Sequence, residues 1–236
     1  LFKLYGSEAA FILKVFQPKF RADSILREVH VTDFLRQNGI SVPEYIPCRN
    51  GDFYFMQNGR IAILQAFIPG QTREKGCCSK RELLDSARLL AQIVNALEHY
   101  PYDDLLPCEI SRYGSAARLL QAKAACADLM AAAHADAVHG AEICRDLQDR
   151  LVMIARVSDA GAFVNTNALT LKRSHGDYSV MQLLYDGSEI KAVLDFVNAG
   201  EVPIAWELIR SYSYMDCTFN AARLAAYTNE YRRYAE

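Results

Sequence analysis

The chain has 236 residues, 51% of them apolar, and its 26 Lys and Arg against 28 Asp and Glu leave a net charge of −2. This is enough apolar material for a sizeable core in one large domain or two smaller ones, and it excludes a disordered chain. No basic run exceeds two residues (Arg232-Arg233 near the end is typical), which argues against nucleic acid as the main partner.

Seven cysteines, an odd number without a CxxC or a Cys/His cluster, fit a reducing cytoplasm better than a disulfide scaffold or a zinc site. His134 and His139 lie five apart in an alanine-rich segment read as helical. They would point to different faces and are read as surface residues, not ligands. No run approaches the roughly 18 apolar residues of a membrane span, and no signal peptide is visible. A chain that opens on Leu1 instead of Met is expected to lack an N-terminal piece.

In chain order, Leu1–Tyr5 and Ala10–Phe16 are apolar runs separated by Gly6-Ser7-Glu8 and predict a β-hairpin. Lys14 interrupts its second strand. Facing solvent it would be an ordinary edge lysine; facing inward it needs a partner, because a buried unpaired ammonium is costly. Asp23 or Ser24 is expected to cap a helix running to about Asn38, with Gly39 ending it. Glu28 lies one turn before the apolar stripe Val31, Phe34 and Leu35. Ile40-Ser41-Val42-Pro43 leaves in extended form. Phe53–Met56 and Ile61–Phe67 then predict a second hairpin around Asn58-Gly59.

Pro69-Gly70 marks a change of character, so the expected boundary divides a β-rich lobe (1–68) from a larger, mainly helical one (69–236). Ser79-x-x-Glu82 is a capping box opening a long helix that ends near Tyr100-Pro101. Segments 112–133 and 138–158 are helical by composition, Thr166–Leu171 is extended, and Trp206–Tyr214 and Ala221–Tyr234 are helical. Between them lies Ser174-His175-Gly176-Asp177, followed by a hairpin pattern that ends on Asp195. A tight hairpin would hold Asp177 and Asp195 at neighbouring strand ends. Two carboxylates fixed near a His and an amide suit phosphoryl transfer, one orienting a hydroxyl and the other holding Mg²⁺.

These residues resemble the aminoglycoside phosphotransferase/choline kinase superfamily. His175-Gly176-Asp177 with Gln182 five positions on is similar to its HGDxxxxN catalytic loop. Val193-Leu194-Asp195-Phe196 with Ala199-Gly200 is similar to its (V/I)IDFxxAG segment. The resemblance implies an α+β, bilobal protein-kinase-like fold with a small β-rich N-lobe and a larger helical C-lobe. It also implies an enzyme moving the γ-phosphoryl of ATP, or another nucleoside triphosphate, with Mg²⁺ to a small hydroxyl-bearing acceptor.

By the same resemblance, Asp177 would orient the hydroxyl proton, with His175 buttressing the catalytic loop. Lys14, positioned by Glu28, would contact the α/β-phosphates, and Asp195 and Gln182 would hold the metal. Gln65-Ala66-Phe67-Ile68 would form the hinge presenting backbone groups to the base, and Glu207 would support the loop. Gln182 departs from the family's Asn: an extra methylene moves the amide oxygen by about 1.5 Å, and Mg²⁺ demands near-ideal distances. That departure leaves an alternative open, a catalytically weak or inactive relative with a nucleotide-binding or structural, spore-coat-like role.

Overall fold

In the computed structural model the described residues are 1–7, 9–109, 115–159, 168–218 and 220–236. They fold into two compact units, Leu1–Cys108 with Thr170–Glu236, and Glu109–Leu169.

The first unit opens with an antiparallel sheet. Strands β1 (Phe2–Tyr5), β2 (Ala10–Val15), β3 (Tyr45–Ile46), β4 (Phe55–Gln57) and β5 (Arg60–Ala66) pair in the order β1-β2-β5-β3, with β4 also on β5. Both expected hairpins form. Asn58 and Gly59, both at positive φ (50° and 73°), make the turn between β4 and β5 that this dipeptide favours. Lys14 pairs with Ile63 across β2 and β5. Alternation along β2 puts Ile12, Lys14 and Phe16 on one face, and Phe16 packs with Ile25, Val29, Tyr45 and Ile63.

Helix α1 spans Ala22–Gln37 and ends at Asn38 and the positive-φ Gly39, as expected. Its start differs: Arg21 is the N-cap and no side chain caps it. Asp23 instead lies inside the first turn, where a carboxylate complements the free N–H groups without replacing a cap. The extended segment after α1 has a structural use, since the Ser41 carbonyl accepts from Val193 N–H at 3.0 Å.

Helix α2 (Lys80–Glu98) begins on the predicted capping box, with both reciprocal bonds present. Its buried face, including Leu83, Leu90, Ile93 and Leu97, joins Tyr178, Val193, Phe196 and Tyr212 in the main core. After Thr170 come β6 (Leu171–Ser174), β7 (Leu183–Asp186), β8 (Glu189–Val193), β9 (Gly200–Pro203), α5 (Ile204–Met215) and α6 (Ala221–Tyr234). Strand β7 pairs with β8, and β6 with β9. Strand β6 starts where the extended segment was expected to end; of that segment, 166–167 lie outside the described residues.

The second unit contains α3 (Ala116–Ala133) and α4 (Gly140–Asp159), which pack on each other. Ser115 caps α3, and Asp136 accepts the N–H groups of Val138 and His139 in the turn. His134 caps the end of α3 and His139 precedes α4, so the two histidines share a turn and not one helix. Among the described residues no helix is long and apolar enough to cross a membrane.

Candidate active site

The centre of the site is a chain of charged side chains within the first unit. Lys14 Nζ donates to Glu28 Oε1 at 3.0 Å and to Asp195 Oδ1 at 2.7 Å. Lys14 therefore faces inward and has its partners. Glu28 is fully buried, and its Oε1 also accepts from the Tyr45 hydroxyl at 2.8 Å. Burial works against the Lys14 ammonium, but Glu28 and Asp195 outweigh it and hold its pKa above the ordinary value. Beside Glu28 on α1, Arg27 donates to the Val197 carbonyl at 3.1 Å. Adjacent residues of one helix thus grip both the lysine and the chain just past Asp195.

Asp195 is reached through a distorted backbone. It sits in the left-handed region (φ 65°, ψ 61°), which for a residue other than glycine costs free energy, Asp and Asn tolerating it best. The residue before it is held at both polar groups. Leu194 N–H donates to the Gln182 carbonyl, and the Leu194 carbonyl accepts from His175 Nε2, each at 2.8 Å.

That second bond fixes the His175 tautomer. A carbonyl only accepts, so Nε2 carries the proton, and Nδ1 is free to accept from Asp177 N–H at 3.2 Å. His175 is fully buried, and burial lowers its pKa, which keeps the ring neutral. With both nitrogens engaged by the main chain, it braces the loop and has none left to exchange a proton with a ligand.

The Asp177 loop is shaped by Gly176 and Glu207. Gly176 has φ +76°, and a Cβ there would run into the Asn198 carbonyl. Glu207 on α5 accepts the N–H groups of Gly176 and Tyr178, each at 3.1 Å, in the supporting role expected of it. The Asp177 side chain is 29% exposed and ion-paired with Arg210 of α5. Gln182 Nε2 approaches Asp177 Oδ2 at 3.5 Å.

A cavity of about 350 Å³ lies against these groups, lined by the apolar Ile12, Phe67, Met181 and Leu184 and by Lys14, Gln182 and Asp195. Gln65 and Ile68 also line it. In the expected hinge, Ala66 N–H is donated to Glu44 and Phe67 N–H to Ala10. Neither is left for a ligand. Among the described residues Ile68 N–H makes no hydrogen bond, so it is the free backbone donor of this segment.

For a divalent cation, the donors on hand are the Asp195 carboxylate, 36% exposed, and the Gln182 amide oxygen beside the same cavity. Among the described residues no group of three or more His, Cys, Asp or Glu could hold a metal. Two hard oxygen donors, with water and a ligand's phosphates completing the shell, fit Mg²⁺.

Sequence reasoning missed Tyr45 and Arg210. Arg210 stands three residues after Glu207, so helical spacing could have put it on the loop-facing side of α5. Tyr45 lies in a two-residue strand with no such signal.

A lysine on a sheet strand, paired to a helix glutamate and to a second acid beyond a hairpin, is the arrangement of a protein-kinase-like fold. The chain belongs to the phosphotransferase enzyme family, whose profile matches residues 2–236. Similar solved structures include the amicoumacin kinase hAmiN in complex with AMP-PNP, Ca²⁺ and Ami. That likeness has 12% identity and a TM-score of 0.65, covering 99% of this chain and 69% of that one. Spectinomycin phosphotransferase APH(9)-Ia, in complex with ADP and spectinomycin, has 11% identity and a TM-score of 0.71, covering 97% and 69%. A microcompartment-associated aminopropanol kinase has 14% identity and a TM-score of 0.62, covering 99% and 72%. At such identities the likeness establishes the fold. No curated protein sequence matches the chain.

Proposed function

We propose that this protein is an ATP- and Mg²⁺-dependent phosphotransferase that moves the γ-phosphoryl group to a hydroxyl of a small molecule in the cytoplasm. The observation that carries this reading is one cavity lined by both Lys14 and Asp195, with Asp177 next to its lining residue Gln182. On this reading 1–68 is the nucleotide-binding lobe, and 69–236 supplies the catalytic loop and metal-binding segment. The nucleotides named with the amicoumacin and spectinomycin enzymes support the choice of donor.

The apolar walls accept a planar base, with Ile68 N–H as its backbone donor. Lys14, held by Glu28, binds the α/β-phosphates; its contact with Asp195 keeps the two charges compensated until the ligand arrives. Asp195 and Gln182 are the residues to hold Mg²⁺, which when bound supplies charge neutralisation at the phosphate oxygens. Asp177 takes the proton of the acceptor hydroxyl. The hydroxyl oxygen bonds to the γ-phosphorus as the bond to the bridging oxygen breaks, and ADP departs. His175 contributes position alone. Most of the rate comes from holding the reactants in line.

The test is transfer from ATP and Mg²⁺ across a panel of small hydroxyl compounds. Asp177→Asn should lower turnover by at least about 100-fold while the fold persists. An unchanged rate would sink the role given to Asp177. The second reading, a nucleotide-binding protein with little turnover, is favoured by one feature, the turn of the Gln182 amide nitrogen toward Asp177. It predicts stabilisation by ATP with no transfer to any acceptor.

A further inference from the structure

Arg210 has no part in the scheme above, yet it is the ion-pair partner of Asp177. Its guanidinium pairs with Asp177 Oδ1 and also donates from a second nitrogen to the Tyr178 carbonyl at 3.2 Å. The same guanidinium lies over the ring of Tyr214, 4.9 Å from its centroid, one turn further along α5. With 22% of its side chain exposed, Arg210 is held at three points and is not a loose surface cation.

Together with Glu207, Arg210 makes α5 a two-armed clamp. Glu207 fixes the backbone of the loop through two N–H groups, and Arg210 fixes the carboxylate that the backbone carries. Among the described residues nothing else holds Asp177 Oδ1, and Oδ2 has only the long 3.5 Å approach of Gln182 and stays available.

Resting on the phosphotransferase reading, we propose that Arg210 is the positioning residue of the transfer: it ties down one oxygen of Asp177 and leaves Oδ2 aimed for the acceptor hydroxyl. A planar fork reaches a carboxylate and a carbonyl at once. A lysine supplies the charge but not the fork.

Two measurements test this. The first does not depend on turnover: urea unfolding of wild type, Arg210→Met, Asp177→Ala and the double variant. If the pair is formed, the double variant is less destabilised than the two single losses added together; additive losses would overturn the proposal. Should Arg210→Met fail to fold, Arg210→Lys takes its place in the cycle. The second measurement is steady-state phosphate release from ATP and Mg²⁺, with water as acceptor. Arg210→Met should lower kcat at least about tenfold with the KM for ATP unchanged, and Arg210→Lys should recover part of the loss. A kcat equal to wild type, or a change confined to KM, would overturn the positioning role. If wild type binds no ATP and releases no phosphate while the unfolding cycle shows coupling, the phosphotransferase reading falls. The catalytic use of the pair falls with it, and the pair itself stands.

Discussion

At the scale of single residues, Glu207 is a carboxyl buried almost completely behind the Asp177 loop. Burial raises its carboxyl from 4.5 to about 7, against the opposing pull of two N–H groups and Arg210. The folded protein then holds a proton on Glu207 that the unfolded chain has released. Stability from this group is full below pH 4.5 and is lost as pH rises through about 7. Glu207→Gln keeps an amide oxygen for Gly176 and Tyr178 but removes the titration. Relative to that variant, wild type should lose up to about 3 kcal/mol over this window. Unfolding curves at about pH 5 and pH 8 check it, and an equal gap at both would show that Glu207 titrates like a surface acid.

At the scale of elements, the loop between β6 and β7 depends on a residue with no side chain. Gly176→Ala meets both a positive φ and the Asn198 carbonyl, so it should cost about 2 kcal/mol or more and lower transfer along with stability. A variant of wild-type stability would show that the Asn198 segment yields. The elements legible in sequence were those with local signatures. Asn58-Gly59, Gly39 and the Ser79/Glu82 box each act within a few positions, and the structure follows them closely. Strands β3 and β9 were not anticipated, because a two-residue strand and a four-residue strand have no period of their own and exist through β5 and β6. The candidate site divides the same way. Asp177 and Asp195 stood out by the loop and hairpin that carry them, and Lys14 and Glu28 through the family resemblance. The contacts of Tyr45 and Arg210 join residues 17 and 33 positions apart and carry no motif.

At the scale of the whole molecule, a ligand that engages Lys14 and Asp195 together should stabilise the folded chain by linkage, about 2.7 kcal/mol at a hundredfold excess over Kd. ATP with Mg²⁺ should therefore raise the melting temperature of wild type. Lys14→Met, which among the described residues leaves the buried Glu28 carboxylate with the Tyr45 hydroxyl alone, should melt lower and respond little. A full ATP shift in that variant would remove Lys14 from the phosphate site. The peptide of Leu194 sets one further condition on the molecule. Its N–H and carbonyl are spoken for by the Gln182 carbonyl and the His175 ring, so the separation between Asp177 and Asp195 is gauged by main-chain atoms and one imidazole. A change elsewhere in the site that spares these three groups therefore leaves the spacing of the two aspartates as it is.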